Sequence, residues 1–262
     1  SLPFFGSHGG PCFRKDFTQK DEATRLLMES LQTITDQHNT TTTTLVEHPM
    51  HPMSHDILEQ YNFSVVDDRI GQITHLPLTV GDDDENLMKL FHVKTRNATR
   101  KGKRQNMVIS RSDDLSDWQW IHNSHSSSIN AMGGVAKSWK IFEHLRDCFP
   151  ADESSRLYIG KIDGQIEVAL LLLFHGETVE YFTPVVSEAY KNQQILSALI
   201  VFAMSEAVEE GRRHWNWGGT WRSQEGVYRF KARFGAKDYP YRYFHCCHNP
   251  AFQTEKPENI RN

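Results

Sequence analysis

Cysteine is scarce in this 262-residue chain: Cys12, Cys148, Cys246 and Cys247 are all it has. Two are adjacent and two stand far apart, so they describe no disulfide framework and are read as reduced thiols. Long apolar runs are lacking too. The longest, Val168 to Phe174, is too short to cross a bilayer, and the opening residues show no basic stretch followed by an apolar one of the kind that directs export. The protein is therefore expected to be cytoplasmic, and Asn39-Thr-Thr, Asn62-Phe-Ser and Asn97-Ala-Thr carry no weight as glycan acceptors. An excess of basic charge is also missing. A formal net charge of −4 argues against general coating of nucleic acid, which needs a basic footprint. What is present is ordinary globular composition, 38% hydrophobic and 24% charged, on a chain long enough for one large domain or two modest ones.

The first residues, Ser1-Leu-Pro-Phe-Phe-Gly-Ser-His-Gly-Gly-Pro11, read as a strand end entering a tight loop. Ser7 and His8 are neighbours there, but a nucleophilic pair is defined by geometry and not by adjacency. Glu22 to Gln37 carries Ala23, Leu26, Leu27, Leu31 and Ile34 at helical spacing, Thr40 to Val46 is β-branched, and Arg69 to Leu76 alternates like a strand. Asp82-Asp-Asp-Glu85 supplies acids for the start of a helix from Asn86. Beyond Arg111-Ser-Asp-Asp114, helices are expected over Ser116 to Ala131 and Ser138 to Phe149, separated by Met132-Gly-Gly134 and closed by Pro150. Arg156 to Ile162, Ile166 to Phe174 and Thr178 to Pro184 follow as strands with turns at Asp163-Gly164 and His175-Gly176, an antiparallel meander. A strongly apolar helix from about Gln193 to Glu210 and a strand at His214 to Trp217 complete the series. The expected class is α+β, a mixed, mostly antiparallel sheet with packed helices.

Two segments stand out chemically. Gly226-Val-Tyr-Arg-Phe-Lys-Ala-Arg-Phe-Gly235 reads as a short helix with Val227, Phe230 and Phe234 on one face and a glycine stop. Lys231 lies at the edge of that face, where its ammonium either enters a cleft or snorkels to solvent. Phe91 to Arg104 concentrates Lys94, Arg96, Arg100, Lys101, Lys103 and Arg104. Arg96 and Arg100, at i and i+4, point the same way on a helix and form either an anion fork or a solvated basic face.

The order Trp217-Gly218-Gly219, short polar gap, Tyr228-Arg-Phe230-Lys231, Phe234-Gly-Ala resembles the C-terminal signature of the Fem-like branch of the GNAT acyltransferase superfamily. Arg96-Asn-Ala-Thr-Arg100-Lys followed by Asn106 to Ser110 is similar to another Fem-like element. The resemblance covers nearly the whole chain, though only the last third is motif-specific. It implies two GNAT-like halves, residues 1–112 and 113–262, the first incomplete at its N-terminus because Fem-like proteins have strands before a comparable Gly-Pro segment. It implies that Lys231 stabilises charge on the oxygen of the reacting acyl carbon, in a cleft walled by Trp217, Gly218, Gly219, Tyr228 and Phe230. It further implies that Arg96 and Arg100 hold phosphate-bearing partners, that His8 touches substrate, and that Glu180 or Tyr181 serves acid-base chemistry, alternation along a strand letting at most one face the cleft. His48, in Glu47-His48-Pro49, occupies the place of an Asp-Pro pair near the Fem-like acceptor and is a candidate base.

The implied activity is transfer of an aminoacyl or acyl group to an amine, such as a cell-wall or polysaccharide precursor or a nucleotide-linked sugar. No tightly bound cofactor is expected. The donor is either aminoacyl-tRNA or acyl-CoA. Acyl-CoA-dependent GNAT enzymes open the helix after the central strand with a glycine loop that cradles pyrophosphate, whereas Glu188 to Ile195 contains no glycine; the coiled-coil arm of several tRNA-dependent members is not evident either. A non-catalytic RNA- or partner-binding module is the third class. Metal binding is not expected: Pro49 and Pro52 prevent a helix from presenting His48, His51 and His55 together, and His245-Cys-Cys-His248 has no second ligand pair.

Overall fold

A computed structural model describes residues 10–14, 16–221 and 223–249, so Ser7, His8 and the expected opening strand lie outside the described residues. The elements are α1 (Lys20–Gln37), β1 (Thr42–Val46), α2 (His55–Gln60), β2 (Ser64–His75), α3 (Glu85–Leu90), α4 (Val93–Lys103), β3 (Val108–Ser112), α5 (Leu115–Ala131), α6 (Trp139–Cys148), β4 (Ser155–Ile162), β5 (Gln165–His175), β6 (Thr178–Val186), α7 (Ile195–Glu209), β7 (His214–Thr220), α8 (Glu225–Arg233) and β8 (Lys237–Cys247). The mixed, mostly antiparallel architecture is the one the sequence leads one to expect. Two local readings need correction. In α1 the expected apolar stripe stays outside: Leu26, Leu27 and Ile34 are exposed, and the helix buries Thr24, Met28 and Thr35, with Met28 packing on Leu45, Leu58 and Phe244. In α8 Val227 is exposed, so the inward face is carried by Phe230, Lys231 and Phe234.

Two compact units form, and neither is one run of sequence: the first takes the chain up to Gly71, Gly219–Gln224 and the chain from Asp238; the second takes Gln72–Gly218 and Glu225–Lys237. Residues 111–117, the expected boundary, lie inside the second unit, where β3 pairs antiparallel with β4. In the first unit the strand order is β1-β8-β2, with β1 and β8 antiparallel. In the second it is β2-β7-β6-β5-β4-β3.

The unbroken apolar run of β5 follows from burial on both faces. Val168, Leu170 and Leu172 pack with Leu199, Ile200 and Met204 of α7, while Ala169 and Leu171 pack with Trp118 and Ile121 of α5 and Phe142 of α6. The parallel pairing of β6 with β7 runs through Thr178↔His214, Val179↔Trp215 and Glu180↔Asn216. Next to it β6 bulges: Tyr181 and Thr183 sit opposite consecutive β5 residues, Leu172 and Leu171, leaving Phe182 as the extra residue.

Helix α4 packs on the start of α7 through Gly102, where an added Cβ would lie 2.4 Å from the Gln194 carbonyl oxygen and 2.9 Å from Ala198 Cβ. Gly226 in α8 faces open space. Gly102→Ala is therefore expected to destabilise the protein by about 1–3 kcal/mol through overpacking, despite alanine's better helix propensity. Gly226→Ala should lower nothing. Urea unfolding midpoints at constant m check both.

Candidate active site

The site grows from the place where β6 bulges beside β7. Alternation along β7 sends Trp215 and Trp217 to one face and Asn216 to the other. Trp217 is buried; its indole Nε1 donates to Thr74 Oγ1 at 2.9 Å, and Thr74 Oγ1 donates to the Phe234 carbonyl at 3.1 Å. The ring meets Tyr181 at 4.8 Å, Phe234 at 5.0 Å and Phe230 at 5.9 Å between centroids. One tryptophan thus ties β7, β2, β6 and α8 together.

The position of Lys231 follows from that packing. Phe230 and Phe234 lie against Trp217, and Lys231 between them on α8 is only 6% exposed. Its Nζ donates to the carbonyl of Gly218 at 3.4 Å. Burial pushes the ammonium down to about 8, an effect partly opposed by the carboxylate of Glu180. Glu180 accepts from Asn216 Nδ2 at 2.6 Å, and Asn216 Oδ1 accepts from the Gly218 amide at 3.0 Å. Gly218 has φ +71°, a left-handed conformation that glycine adopts without strain. Glu180 and Tyr181 diverge as alternation requires, Glu180 toward Asn216 and Tyr181 into the tryptophans. Burial raises the Tyr181 phenol well above its ordinary range, so at neutral pH it is protonated and can only donate its proton.

Beside this cluster an open groove of about 590 Å³ is lined by Lys94, Asn97, Ala98 and Lys101 of α4, Gln194 and Ser197 at the start of α7, and Gly226, Arg229, Phe230 and Arg233 of α8. Four cations and the amino end of a 15-residue helix face one space, an arrangement that favours a phosphate. Gln194 takes φ +63°, the conformation glycine usually supplies, so the turn before α7 forms without the glycine that the sequence lacks. Arg96 and Arg100 lie one stripe round α4: Arg96 donates to the Phe91 carbonyl at 2.8 Å and Arg100 to Asn97 Oδ1 at 3.4 Å.

A match to the acetyltransferase (GNAT) domain family extends over residues 91–232, more than half of the chain. The chain belongs to the GNAT acetyltransferase family. The matched span begins at Phe91, just before α4, takes in β3 to β7 and all but the last residue of α8, and so contains the groove and Lys231. Among solved structures, FemX is similar at 15% identity and TM-score 0.73 over 90% of this chain and 79% of that one. L-PGS from Bacillus licheniformis is similar at 11% identity and TM-score 0.59, over 91% and 77%. A GCN5-related N-acetyltransferase from Kribbella flavida is similar at 10% identity and TM-score 0.52, over 88% and 78%. These likenesses concern the fold. No curated protein sequence matches significantly.

Of the residues singled out from the GNAT and Fem-like resemblance, the second unit brings together Lys231, Tyr181, Trp217, Gly218 and Phe230. Tyr228 is half-buried, and its carbonyl accepts from Gln72 at 3.3 Å. Gly219 belongs to the first unit, where an added Cβ would lie 2.0 Å from the Tyr241 hydroxyl. His48 also belongs to the first unit. Its Nδ1 accepts from the Met50 amide at 3.1 Å, its ring lies 4.9 Å from that of His51, and the segment is pinned by buried Glu47, which accepts from Met53 N, His55 Nε2 and Arg242 N. Among the described residues no group of three or more His, Cys, Asp or Glu is placed to hold a metal ion.

Sequence reasoning missed Asn216 and Lys137. The signal for Asn216 was available: a polar residue between two tryptophans on a strand must face away from their core. Lys137 gave none. It is buried beside the bulge, donating to Thr183 Oγ1 at 3.3 Å with its ammonium 4.8 Å from the centre of the Phe182 ring. Burial pushes it down to about 8, and burial with the nearby Lys137 and His122 charges pushes His125 down to about 4.

Lys231 has a measurable consequence for stability. Its pKa falls from an ordinary 10.5 to about 8 on folding, so between these values the unfolded chain binds the extra proton and stability rises with pH. The stability of the wild type relative to Lys231→Met should therefore increase from pH 8 to pH 10, as read from urea unfolding of both proteins. A constant difference would mean that Lys231 is not desolvated.

Proposed function

We propose that this GNAT-family protein transfers an activated acyl group, most specifically an aminoacyl group, from a phosphate-bearing donor to the amine of an acceptor such as a cell-wall or polysaccharide precursor or a nucleotide-linked sugar. The observation that carries the reading is the buried ammonium of Lys231 at the Gly218 carbonyl, next to a groove lined by four cations. The groove has the chemistry to take the donor's phosphates. Donor and acceptor are substrates, and nothing in the reading requires a resident cofactor.

In the proposed step the amine nitrogen attacks the donor carbonyl. A C–N bond forms, the carbonyl π electrons move to oxygen, and Lys231 stabilises that oxyanion in a site from which water is largely excluded. On collapse the C–O bond of an ester donor, or the C–S bond of a thioester, breaks with its electron pair. The leaving atom takes one proton, for which the protonated Tyr181 is the proposed source, and the new amide nitrogen sheds one. Tyr181 is then reprotonated, so the protons balance.

The aminoacyl reading is supported by the Fem-like motif around Lys231 and by the glycine-free turn before α7. A second reading, acetyl transfer from acyl-CoA, is favoured by the acetyltransferase family match at residues 91–232. Native mass spectrometry against acetyl-CoA, aminoacyl-tRNA and UDP-linked sugars separates them: a complex with acetyl-CoA alone selects the second reading.

Once a substrate is in hand, Lys231→Met should fold and lose about 100-fold or more in turnover, the scale of one lost oxyanion donor. Lys231→Arg should recover only part, because a planar guanidinium cannot occupy the ammonium's place. Near-normal turnover of the methionine variant would overturn the catalytic assignment. Replacing Lys101 and Arg229 together by glutamine should weaken donor binding and flatten its dependence on salt, more than the same change at Arg96 and Arg100. Equal effects would place the phosphates outside the groove.

A further inference from the structure

Lys231 is not held by packing alone. A continuous path of polar contacts leads from it into the sheet: Lys231 Nζ to the Gly218 carbonyl at 3.4 Å, the Gly218 amide to Asn216 Oδ1 at 3.0 Å, and Asn216 Nδ2 to Glu180 Oε2 at 2.6 Å. Asn216 is 5% exposed, and a buried amide side chain must satisfy both ends. Here its oxygen and its nitrogen each have one definite partner, which fixes the amide's orientation. Glu180 and Asn216 also face each other in the last register pair of the short β6/β7 ladder. A carboxylate opposite any apolar residue there would have no donor across the strand.

We infer that Asn216 is a positioning residue for the acyl-transfer site: it clamps Gly218 so that its carbonyl receives the Lys231 ammonium, and it holds the Glu180 carboxylate within electrostatic reach of that same ammonium. The inference rests on the reading of Lys231 as the catalytic cation. The role differs from that of a catalytic residue, since Asn216 acts through Gly218 and Glu180. It differs also from plain packing. An apolar residue of similar size would fill the space, leaving Gly218 without its side-chain acceptor and Glu180 without its donor.

The charged groups around Lys231 define what a test must read. Glu180 acts on it from β6; its own helix carries Glu225, Arg229 and Arg233; the phenol of Tyr181 is neutral. Glu180 is thus the carboxylate whose loss should register at Lys231. In Glu180→Gln the amide oxygen can still accept from Asn216, so the geometry survives while the charge goes. In Asn216→Ala the charge remains but is released to turn toward solvent.

The experiment is a pH titration of the full chain carrying [13Cε]lysine, followed by NMR, with the Lys231 resonance assigned by its disappearance in Lys231→Met. It needs no substrate, so it can succeed or fail independently of turnover. Expected is a wild-type midpoint far below those of the surface lysines, lowered by a further half pH unit or so in Glu180→Gln, as befits loss of one nearby carboxylate. Asn216→Ala should lower it in the same direction, and the double variant should fall no further than the larger single effect. Two results overturn the inference: an unchanged midpoint in Asn216→Ala, or fully additive shifts in the double variant. Both would mean that Glu180 reaches Lys231 without Asn216. Activity gives a parallel readout, because the basic limb of the rate profile should move with the titration midpoint in each variant.

Discussion

The Trp217 indole and its hydrogen bond to Thr74 are what the second unit's site depends on. A buried indole N–H needs an acceptor, and Thr74 both accepts from it and donates onward to Phe234 at the end of α8. That pair of bonds fixes how deeply the helix sits. Depth in turn decides the state of Lys231: one turn of slack would carry its ammonium into water and return its pKa to the ordinary lysine range. The chemistry of the cation therefore begins with the satisfaction of a tryptophan on a neighbouring strand.

The same logic explains why the site lies beside the bulge of β6. The inserted Phe182 lets Glu180 remain in register with Asn216 while Tyr181 is delivered to the opposite face, among the tryptophans. A strand without the bulge would have kept strict alternation beyond this point and put Thr183 on the face that Phe182 now occupies. One extra residue thus furnishes a polar side, with Glu180 and Asn216, and an apolar side, with Tyr181 and Trp217, at a single level of the sheet.

Much of this was legible in the sequence. The meander of β4, β5 and β6 could be read because its turns carry Asp163-Gly164 and His175-Gly176, and α7 because its apolar residues run along the whole helix. Lys231 could be singled out because it sits between two phenylalanines of a short helix that glycine terminates. Other features depend on partners distant in sequence. The exposed leucines of α1 mislead because periodicity marks a stripe without saying whether anything covers it. The groove falls to Lys94 and Lys101 instead of Arg96 and Arg100 because the side of α4 that faces α7 is set by Gly102, the residue that allows the two backbones to approach. Lys137 leaves no trace, since a lone lysine after a Gly-Gly break looks like any loop cation until Thr183 and Phe182 are brought beneath it. Compact units assembled from separated segments are equally invisible to a reading that moves along the chain.

The placement of β8 has a consequence for the order of assembly. In the first unit β8 lies between β1 and β2, so a strand from late in the chain must insert between two that are made early. Until it arrives, β1 and β2 each present an unpaired edge to the rest of the cell, the kind of surface that recruits other strands and delays folding. During synthesis the meander and α7 can close on local contacts as they emerge, whereas the first unit has to wait for nearly the whole polypeptide. Its slow step is then a long-range strand insertion, and premature termination before Lys237 would leave those edges permanently open.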